Sequence, residues 1–471
     1  MTLSQPSENG KEYREVSEET KASDMSWWQS LKIVTSNRNF TIYLITVWIY
    51  SSMSVLYRYF NLYFRDLGIP YVMIGFLFSV LLGIRLLGNF VSGYFADNYD
   101  RRRLAVVTMA LSSLGYLLLS FAGDYITILG SMTIIGASSF TGTAGRAYYM
   151  EHIDRRFGGV AQSLFTLGTA LGLVPLYVVS LLFNQGWEFI PVMKILLFIA
   201  GLLYAVCAFI RATALESTAT PERAQKSENL LKDFLSENWR GLKLLARVFP
   251  VFLAVLMFDA LSDSLYRFAE LYYINETLQF GIGDINLILL LTLLISVPLT
   301  LLLGRVFDKQ GGHKLTVAVY SVMPLAIGLL IIAQFIPYVA PVSWQNAVDA
   351  IYPGLRVIFS LAFIATATKS INDVLWRSLI NTYIQKSLPR QDLGKMISLS
   401  TTFTMLLLAI GPSIAGIIYD LFKGVPLLLA ALFINIAILA VLAKRSMEPK
   451  ASIEELEAEA ENGKLSPDML E

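Results

Sequence analysis

Charged residues recur on one face of an otherwise apolar segment, residues 249–275. They are separated by 4, 4 and 3 positions. An α-helix turns by about 100° per residue, so the four side chains fall within an arc of about 80° and form one polar stripe. Carboxylate and guanidinium groups in this arrangement can form ion pairs, bind an ionic solute or exchange protons. The four residues are Asp259, Asp263, Arg267 and Glu270.

A second stripe lies in another apolar segment, where Lys369, Asp373 and Arg377 are spaced four apart. An acid and a base four positions apart on one helix can neutralise each other, which is the least costly way to keep charge in an apolar helix. Local pairing is therefore one interpretation of Asp263 with Arg267 and of Lys369 with Asp373. The other interpretation is that these groups face a solute or a partner across the molecule.

Asp259 and Arg58 have no such local explanation. Asp259 lies about ten residues into its helix, about 15 Å deep at 1.5 Å per residue, near the midplane of a membrane. It is the candidate for proton coupling, and the alternative is an ordinary ion pair between helices. Arg58 has no acid on its own helix face, so we expect it to face Asp263, Glu270 or an anionic solute.

Four further residues, Arg85, Asn89, Tyr57 and Tyr266, are candidates for contacting a solute. Arg85 lies one turn before Asn89 and can donate two hydrogen bonds to a carboxylate or a phosphate. Tyr57 and Tyr266 each precede an arginine in the tripeptide Leu-Tyr-Arg. They are expected to line the mouth of a cavity or to belong to the aromatic belt at a membrane surface.

The composition places these charged stripes in a membrane. Of 471 residues, 55% are hydrophobic and 15% are charged, and the mean hydropathy is +0.57, which is more apolar surface than a soluble core could bury. A helix needs about 20 apolar residues to cross about 30 Å of hydrocarbon. Twelve segments qualify, named here spans 1 to 12: 40–64, 71–97, 103–122, 126–150, 159–184, 188–211, 249–275, 284–307, 314–336, 354–383, 394–421 and 425–444.

The spans form two sets of six, which predicts an all-α membrane protein with two six-helix bundles. The bundles cover residues 39–211 and 249–444, and a polar linker, 212–248, contains the pattern of an amphipathic helix. Polar tails, 1–38 and 445–471, flank the bundles. The distribution of basic residues favours a cytoplasmic location for both tails, and we expect the protein in the plasma membrane.

Composition also argues against other classes of protein. The formal net charge is +1, so no basic field indicates nucleic acid. Cys207 is the single cysteine, and His152 and His313 are the only histidines, so neither a metal site nor a cofactor is expected. No catalytic triad pattern, phosphate-binding glycine loop or nucleotide-binding domain occurs, which argues against an enzyme and against an ATP-driven pump.

Two features recur at nearly the same offset in the two sets of spans. Leu-Tyr-Arg ends at Arg58 in span 1 and at Arg267 in span 7, 209 residues later. GYFADNYDRRRL, 93–104, follows the apolar part of span 2, and GRVFDKQGGHKL, 304–315, follows that of span 8, 211 residues later. Two landmarks at such similar offsets indicate an internal duplication.

With these features the sequence resembles the major facilitator superfamily over residues 40–444. The loop between helices 2 and 3 of that family carries G-x-x-x-D-R/K-x-G-R/K-R/K. The resemblance implies two six-helix bundles and a latch on the cytoplasmic side that includes Asp97 and Arg101. The alternative is that the motif residues only cap helices and set the orientation in the membrane. The residues that match in the two copies are Gly93, Asp97, Arg101, Gly304, Asp308 and Lys309.

The resemblance further implies a secondary transporter that works by alternating access, without a cofactor and as a monomer among membrane lipids. The surplus of internal arginines favours an anionic or zwitterionic small-molecule solute. Protons, or else sodium, are the expected coupling ions. The alternatives are a polyspecific drug/proton antiporter and, from another class, a membrane receptor or sensor that does not transport.

Overall fold

The computed structural model describes residues 27–142, 145, 148, 149, 152, 153, 157–217, 249–309, 313–387 and 393–447. Most of both predicted tails and of the predicted linker therefore lies outside the described residues. We call residues 27–217 the N-terminal half and residues 249–447 the C-terminal half.

The N-terminal half is built of helices that follow the predicted spans. A short helix, Trp27–Ser36, precedes span 1, which consists of Arg38–Met53, a 3₁₀ segment Ser54–Tyr59 and Phe60–Asp66. The others are span 2, Tyr71–Asn98; span 3, Arg101–Phe121; span 4, described as Tyr125–Ala137 and the 3₁₀ turn Ser138–Thr141; span 5, Gly158–Ala170 and Leu173–Asn184; and span 6, Phe189–Ala214.

The C-terminal half is also helical, with one addition. Span 7 is Pro250–Tyr272 followed by a π-helical turn, Tyr273–Thr277; span 8 is Ile282–Lys309; span 9 is His313–Ile332; span 10 is Leu361–Ser387; span 11 is Leu393–Phe422; and span 12 is Gly424–Lys444. Between spans 9 and 10 lie an unpredicted helix, Val342–Asp349, and a 3₁₀ turn, Leu355–Phe359. Span 10 therefore begins at Leu361, later than predicted, after Gly354 at a left-handed φ of 83°.

Among the residues that the structure describes, eight helical segments are long and apolar enough to cross a membrane. The two spans with charged stripes, 7 and 10, have similar length but more charge. The eight segments are Arg38–Asp66, Tyr71–Asn89, Arg101–Phe121, Leu167–Asn184, Phe189–Ala214, His313–Ile332, Thr404–Phe422 and Gly424–Lys444.

Polar caps define where several helices begin. The side chain of Asp100 accepts a hydrogen bond from the backbone N–H of Arg102, 3.0 Å away, at the start of span 3. Asp124 accepts from the N–H groups of Ile126 and Thr127, each at 3.0 Å, at the start of span 4. Together with the Thr127 hydroxyl, these donors hold the pKa of Asp124 below its usual value. Each cap satisfies donors that a helix start leaves unpaired.

Helix packing repeats between the halves. In the N-terminal half span 1 packs on spans 5 and 6, span 3 on spans 4 and 6, and span 2 on span 4. Each of these contacts recurs six spans later, as span 7 on spans 11 and 12, span 9 on spans 10 and 12, and span 8 on span 10. The recurrence is the three-dimensional counterpart of the duplicated sequence motifs.

The halves contact each other through span 2 with span 11 and span 5 with span 8. We call the end of the bundle that carries the turns after spans 1, 3, 5, 7, 9 and 11 the distal end. The largest buried apolar cluster contains Phe60 and Leu77 from one half and Leu265 and Leu427 from the other. Much of this shared core lies in the distal part of the molecule, and it joins the two halves there.

Candidate functional site

Four charged side chains of the C-terminal half form a closed network. Asp263 Oδ2 accepts from Arg267 Nε at 2.6 Å, and Asp263 Oδ1 accepts from Lys369 Nζ at 2.8 Å. Lys369 Nζ also donates to Asp373 Oδ1 at 2.5 Å, and Arg267 Nη2 lies 3.6 Å from Asp373 Oδ2. The two carboxylates and the two cations neutralise one another, so the network that joins spans 7 and 10 has no net charge.

Within the network Lys369 is buried and Arg267 is not. The Lys369 side chain is 6% exposed, whereas that of Arg267 is 56% exposed. Lys369 Nζ lies 5.1 Å from the centre of the Tyr266 ring, whose hydroxyl donates to Glu270 Oε1 at 3.0 Å. The lysine thus ties span 10 to span 7 through the carboxylate of Asp263 and the aromatic face of Tyr266.

Asp259 lies one turn from this network but does not join it. Its two oxygens accept from neutral donors, Tyr320 Oη and Trp376 Nε1, each at 3.0 Å. Among the residues that the structure describes, no cation lies within ion-pair distance of Asp259. Two neutral donors therefore hold the carboxyl group in place.

The hydrogen bonds of Asp259 continue to span 12. Tyr320 Oη lies 2.8 Å from Asn435 Oδ1, while the amide nitrogen of Asn435 donates to Ala431 O at 2.9 Å and to Ser262 Oγ. The amide oxygen of Asn435 therefore faces the tyrosine. Sequence reasoning did not identify Tyr320, Trp376 or Asn435, since none is charged.

Arg58 and Arg85 differ from Arg267 in lacking a described counter-charge. Arg58 is exposed and Arg85 is half-buried. No ion pair joins either of them to a described carboxylate. Arg85 lies 5.6 Å from the centre of the Tyr57 ring, which packs against Phe78 at 5.6 Å.

The two Leu-Tyr-Arg copies approach each other across the molecule. The Arg267 guanidinium lies close enough to the Tyr57 hydroxyl to interact with it electrostatically, and the same holds for Arg58 and the Tyr266 hydroxyl. Asn61 Nδ2 of span 1 donates to the carbonyl of Arg267 at 3.4 Å. The structure thus brings together the sequence-predicted residues Tyr57, Arg58, Tyr266 and Arg267 between spans 1 and 7.

Other predicted residues lie apart from this group or outside the described side chains. Asn89 donates from Nδ2 to Met405 Sδ at 3.2 Å, which links span 2 to span 11. Arg101 opens span 3. The side chains of the remaining motif residues lie outside the described ones: Gly93, Asp97, Gly304, Asp308 and Lys309.

The distal end holds a polar cluster that sequence reasoning missed. Glu276 Oε1 accepts from Arg65 Nη1 at 2.9 Å and from Tyr71 Oη at 2.7 Å, and Oε2 accepts from Tyr419 Oη at 2.9 Å. Arg65 Nη1 also donates to Asn275 Oδ1 at 2.8 Å. We call Arg65, Tyr71, Asn275, Glu276 and Tyr419 the distal latch, because it joins the two halves. Arg65 and Glu276 are 211 residues apart, which equals the offset of the duplicated motif. This shared offset is the sequence feature from which the pair could have been identified.

Close backbone packing lies directly beneath the distal latch. A Cβ atom at Gly75 of span 2 would collide with the carbonyl oxygen of Pro412. One at Gly416 of span 11 would lie 2.6 Å from the carbonyl oxygen of Tyr71. The hydroxyls of Ser79 and Ser413 hydrogen-bond at 2.7 Å on the same interface. Spans 2 and 11 thus meet here without room for side chains.

A buried arginine has a structural role near the other end of the bundle. Arg211 of span 6 donates from Nε to Thr46 Oγ1 at 2.9 Å and from Nη1 to Ala105 O at 3.0 Å. Its guanidinium lies 4.5 Å from the centre of the Tyr43 ring. These contacts join spans 1, 3 and 6. In the part of the chain that the structure describes, no group of three His, Cys, Asp or Glu side chains is placed to hold a metal ion.

Comparison with known proteins gives the same architecture. Residues 40–375 match the family model described as Major Facilitator Superfamily. Solute carrier family 22 member 18 of Mus musculus is 24% identical over 395 residues, which cover 82% of this chain and 90% of that protein.

Solved transporter structures share the fold at low sequence identity. The nucleoside transporter NupG superposes with a TM-score of 0.61 at 12% identity, over 86% of this chain and 98% of that one. A POT family transporter in complex with 5-aminolevulinic acid gives 0.61 at 14% identity, over 86% and 95%. The human organic anion transporter MFSD10 gives 0.53 at 14%, over 86% and 99%. With twelve predicted spans, a repeated packing pattern and a family match over most of its length, this chain belongs to the Major Facilitator Superfamily of membrane transporters.

Proposed function

We propose that the protein is a secondary transporter that moves a small anionic or zwitterionic solute by alternating access and couples this movement to protons. The observation that carries the proposal is an unequal division of charge. Asp263, Arg267, Lys369 and Asp373 neutralise one another. Arg58 and Arg85 do not share in that network.

The solute's anionic group is proposed to bind to these two arginines of the N-terminal half. A guanidinium inside a membrane protein is costly without an anion, and its planar donors fit a carboxylate or a phosphate. Tyr57 lies beside Arg85 and can contact the remainder of the solute. The exposed face of Arg267 is available to the solute from the opposite side.

Protons are proposed to act at Asp259. The hydroxyl of Tyr320 has a single proton, and two acceptors, Asp259 Oδ1 and Asn435 Oδ1, lie within hydrogen-bond distance. When Asp259 is ionised, both acceptors compete for that proton. When Asp259 is protonated, it donates to Tyr320, which donates to Asn435, and every group is satisfied. Proton binding therefore completes a chain of hydrogen bonds from Asp259 of span 7 through Tyr320 to Asn435 of span 12.

The end of the bundle opposite the distal end is proposed to face the cytoplasm, as the basic loops indicate. The distal end then faces the outside, and the distal latch closes the path of the solute on that side. Alternating access requires this closure to open and a matching closure to form at the other end.

The first test is thermal unfolding of the purified, detergent-solubilised protein with organic anions, zwitterions, neutral sugars and lipophilic cations. A ligand at 100 times its dissociation constant stabilises the folded state by about 2.7 kcal/mol. We expect a rise in melting temperature with one or more anions or zwitterions, and its loss in Arg58→Ala and Arg85→Ala.

Arg103→Ala is the matched control, because its side chain is 87% exposed and lies in the first turn of span 3, on a different helix from Arg58 and Arg85. It should keep the ligand response. Stabilisation by lipophilic cations alone would instead indicate a drug exporter. A ligand that binds but does not cross the membrane of proteoliposomes would indicate a receptor.

A further inference from the structure

We propose that the helix Val342–Asp349 lies in the lipid–water interface at the distal end, with the edge that carries Trp344 inserted among the lipid headgroups and the first acyl carbons. This helix has no counterpart between spans 3 and 4, where only residues 122–124 connect the helices. It is an addition to one half of a duplicated structure, so a role specific to this connection is needed to explain it.

The depth of the segment follows from span 9. His313–Ile332 has 20 residues, which at 1.5 Å per residue is about 30 Å, the thickness of the hydrocarbon core. The chain therefore leaves the hydrocarbon near Ile332. Phe335 and Ile336 come next and are 78% and 52% exposed. Aromatic and aliphatic side chains at this depth are typical of a membrane interface.

The helix presents three different faces. Gln345, Val348 and Asp349 are the partly buried positions, so this face lies toward the protein. Ser343 and Asn346 are exposed polar residues, about 60° apart on the helix. Trp344 and Ala347, also about 60° apart, form an exposed apolar edge between the polar face and the face toward the protein.

The apolar edge is large and uncovered in the described structure. Trp344 is 62% exposed and Ile351, just after the helix, is 77% exposed. Exposed apolar surface of this kind marks a partner or a membrane. On span 9 the exposed residues Leu325 and Ile332 share one face, and Ile332 ends the span where the chain leaves the hydrocarbon. Exposed apolar side chains continue along the chain from this depth, at Phe335, Ile336, Trp344 and Ile351, and this continuity favours lipid as the occupant.

The segment is anchored firmly enough to hold the helix at one depth. Val339 N donates to Phe359 O at 2.9 Å, and Leu361 N donates to Pro337 O at 3.0 Å, which joins the ends of spans 9 and 10. Tyr352 Oη lies 2.9 Å from Ser180 Oγ and 2.8 Å from Asn184 Nδ2 of span 5. One side of the segment therefore contacts the N-terminal half, and the apolar edge points elsewhere.

The test uses spin labels on the full-length protein in liposomes of phosphatidylcholine and phosphatidylglycerol. Cys207 is the single cysteine of the chain and is buried, so Cys207→Ser gives a background in which each introduced cysteine is unique. Labels are placed one at a time at positions 343, 344, 346, 347 and 351. Collision rates with oxygen, which concentrates in lipid, and with a water-soluble nickel chelate are measured.

We expect the ratio of oxygen to nickel collisions to be several-fold higher at positions 344, 347 and 351 than at 346, with an intermediate ratio at 343, which lies about 40° from 347 on the helix. High nickel accessibility at all five positions would place the helix in water and overturn the proposal. Low accessibility to both reagents at 344 and 351 would show that protein covers the edge, and would overturn it as well. Should Trp344→Cys fail to fold, Ile351→Cys and Ala347→Cys give the same reading.

Discussion

At the level of single residues, the two copies of Leu-Tyr-Arg end in arginines with different surroundings. Arg267 has Asp263 four positions before it and donates to that side chain, whereas the residue four positions before Arg58 is Ser54. The i to i+4 rule was enough to foresee the pairs Asp263 with Arg267 and Lys369 with Asp373. It could not foresee that Lys369 would also bind Asp263, because that contact depends on how spans 7 and 10 pack.

Asp259→Asn is expected to uncouple transport from the proton gradient. Asparagine keeps the size of the side chain and can donate permanently to Tyr320, so the site behaves as if it were always protonated. Solute uptake or release driven by a pH gradient in proteoliposomes should fall to the level seen without a gradient, while solute binding persists. Asp420→Asn, an exposed acid on span 11, should respond to pH like the wild type. Full retention of gradient-driven transport in Asp259→Asn would exclude this residue as the coupling site.

Lys369→Met is expected to destabilise the protein, because it leaves Asp263 and Asp373 with only Arg267 between them. Breaking a buried ion-pair network by removing one partner typically costs about 3–5 kcal/mol. The double variant Lys369→Met with Asp373→Asn restores charge balance around Asp263 and Arg267 and should recover part of that loss. Denaturant unfolding in detergent measures both. Equal stability of the single and double variants would contradict the balanced network.

At the level of elements, the sequence predicted the spans but not their interruptions. Apolar runs of about 20 residues are enough to place a spanning helix, since length and hydropathy decide its existence. Ser54–Tyr59 is wound as a 3₁₀ helix, which advances by about 120° per residue instead of 100°. The part of span 1 beyond this segment is therefore rotated relative to a regular helix. Arg58 and Arg267, equivalent by sequence, do not occupy equivalent positions.

The helix Val342–Asp349 was missed for a different reason. It has eight residues, too few for periodicity to separate a helix from a polar loop, and Pro337, Pro341 and Pro353 around it suggested irregular chain. Its alternation of apolar and polar faces becomes informative only once span 9 has fixed its depth.

Gly75→Ala is expected to impair closure of the distal end, because its Cβ would meet the backbone of Pro412, which cannot move aside as a side chain could. Transport should decrease, and the melting temperature should fall. Gly83→Ala on the same span is the matched control, since nothing lies within 4 Å of its added Cβ. That substitution should be neutral or stabilise span 2 by up to about 1 kcal/mol. Equal transport by the two variants would show that the close contact of spans 2 and 11 is not required.

At the level of the whole molecule, the distal latch joins the two halves through residues that the sequence did not single out. Arg65 lies near the end of an apolar span and Glu276 in a turn, and neither position stands out without knowledge of its partner. The central charges drew attention because charge inside a membrane is expensive. The distal latch uses fewer charges and two tyrosines, and its function as a bridge depends entirely on the packing of the halves.

Glu276→Gln is expected to shift the protein toward a conformation open at the distal end. The amide keeps the shape but loses the charge that attracts Arg65 and the acceptor oxygen that one tyrosine uses. In the Cys207→Ser background, spin labels at Gly123→Cys and Ser343→Cys report the separation of the halves. A population at longer distance should appear in Glu276→Gln. Asp66→Asn, which removes a neighbouring acid within one half, should change the distances much less.

The unequal charge of the two halves has a consequence for the resting protein. Two arginines without a described counter-charge attract whatever small anions the solution contains, and in salt water these are chloride ions at far higher concentration than any solute. The site would then be occupied by a weak competitor when the solute is absent, and the solute would have to displace it. The apparent affinity of this transporter would thus be a property of the medium as well as of the protein, strongest where small inorganic anions are scarce.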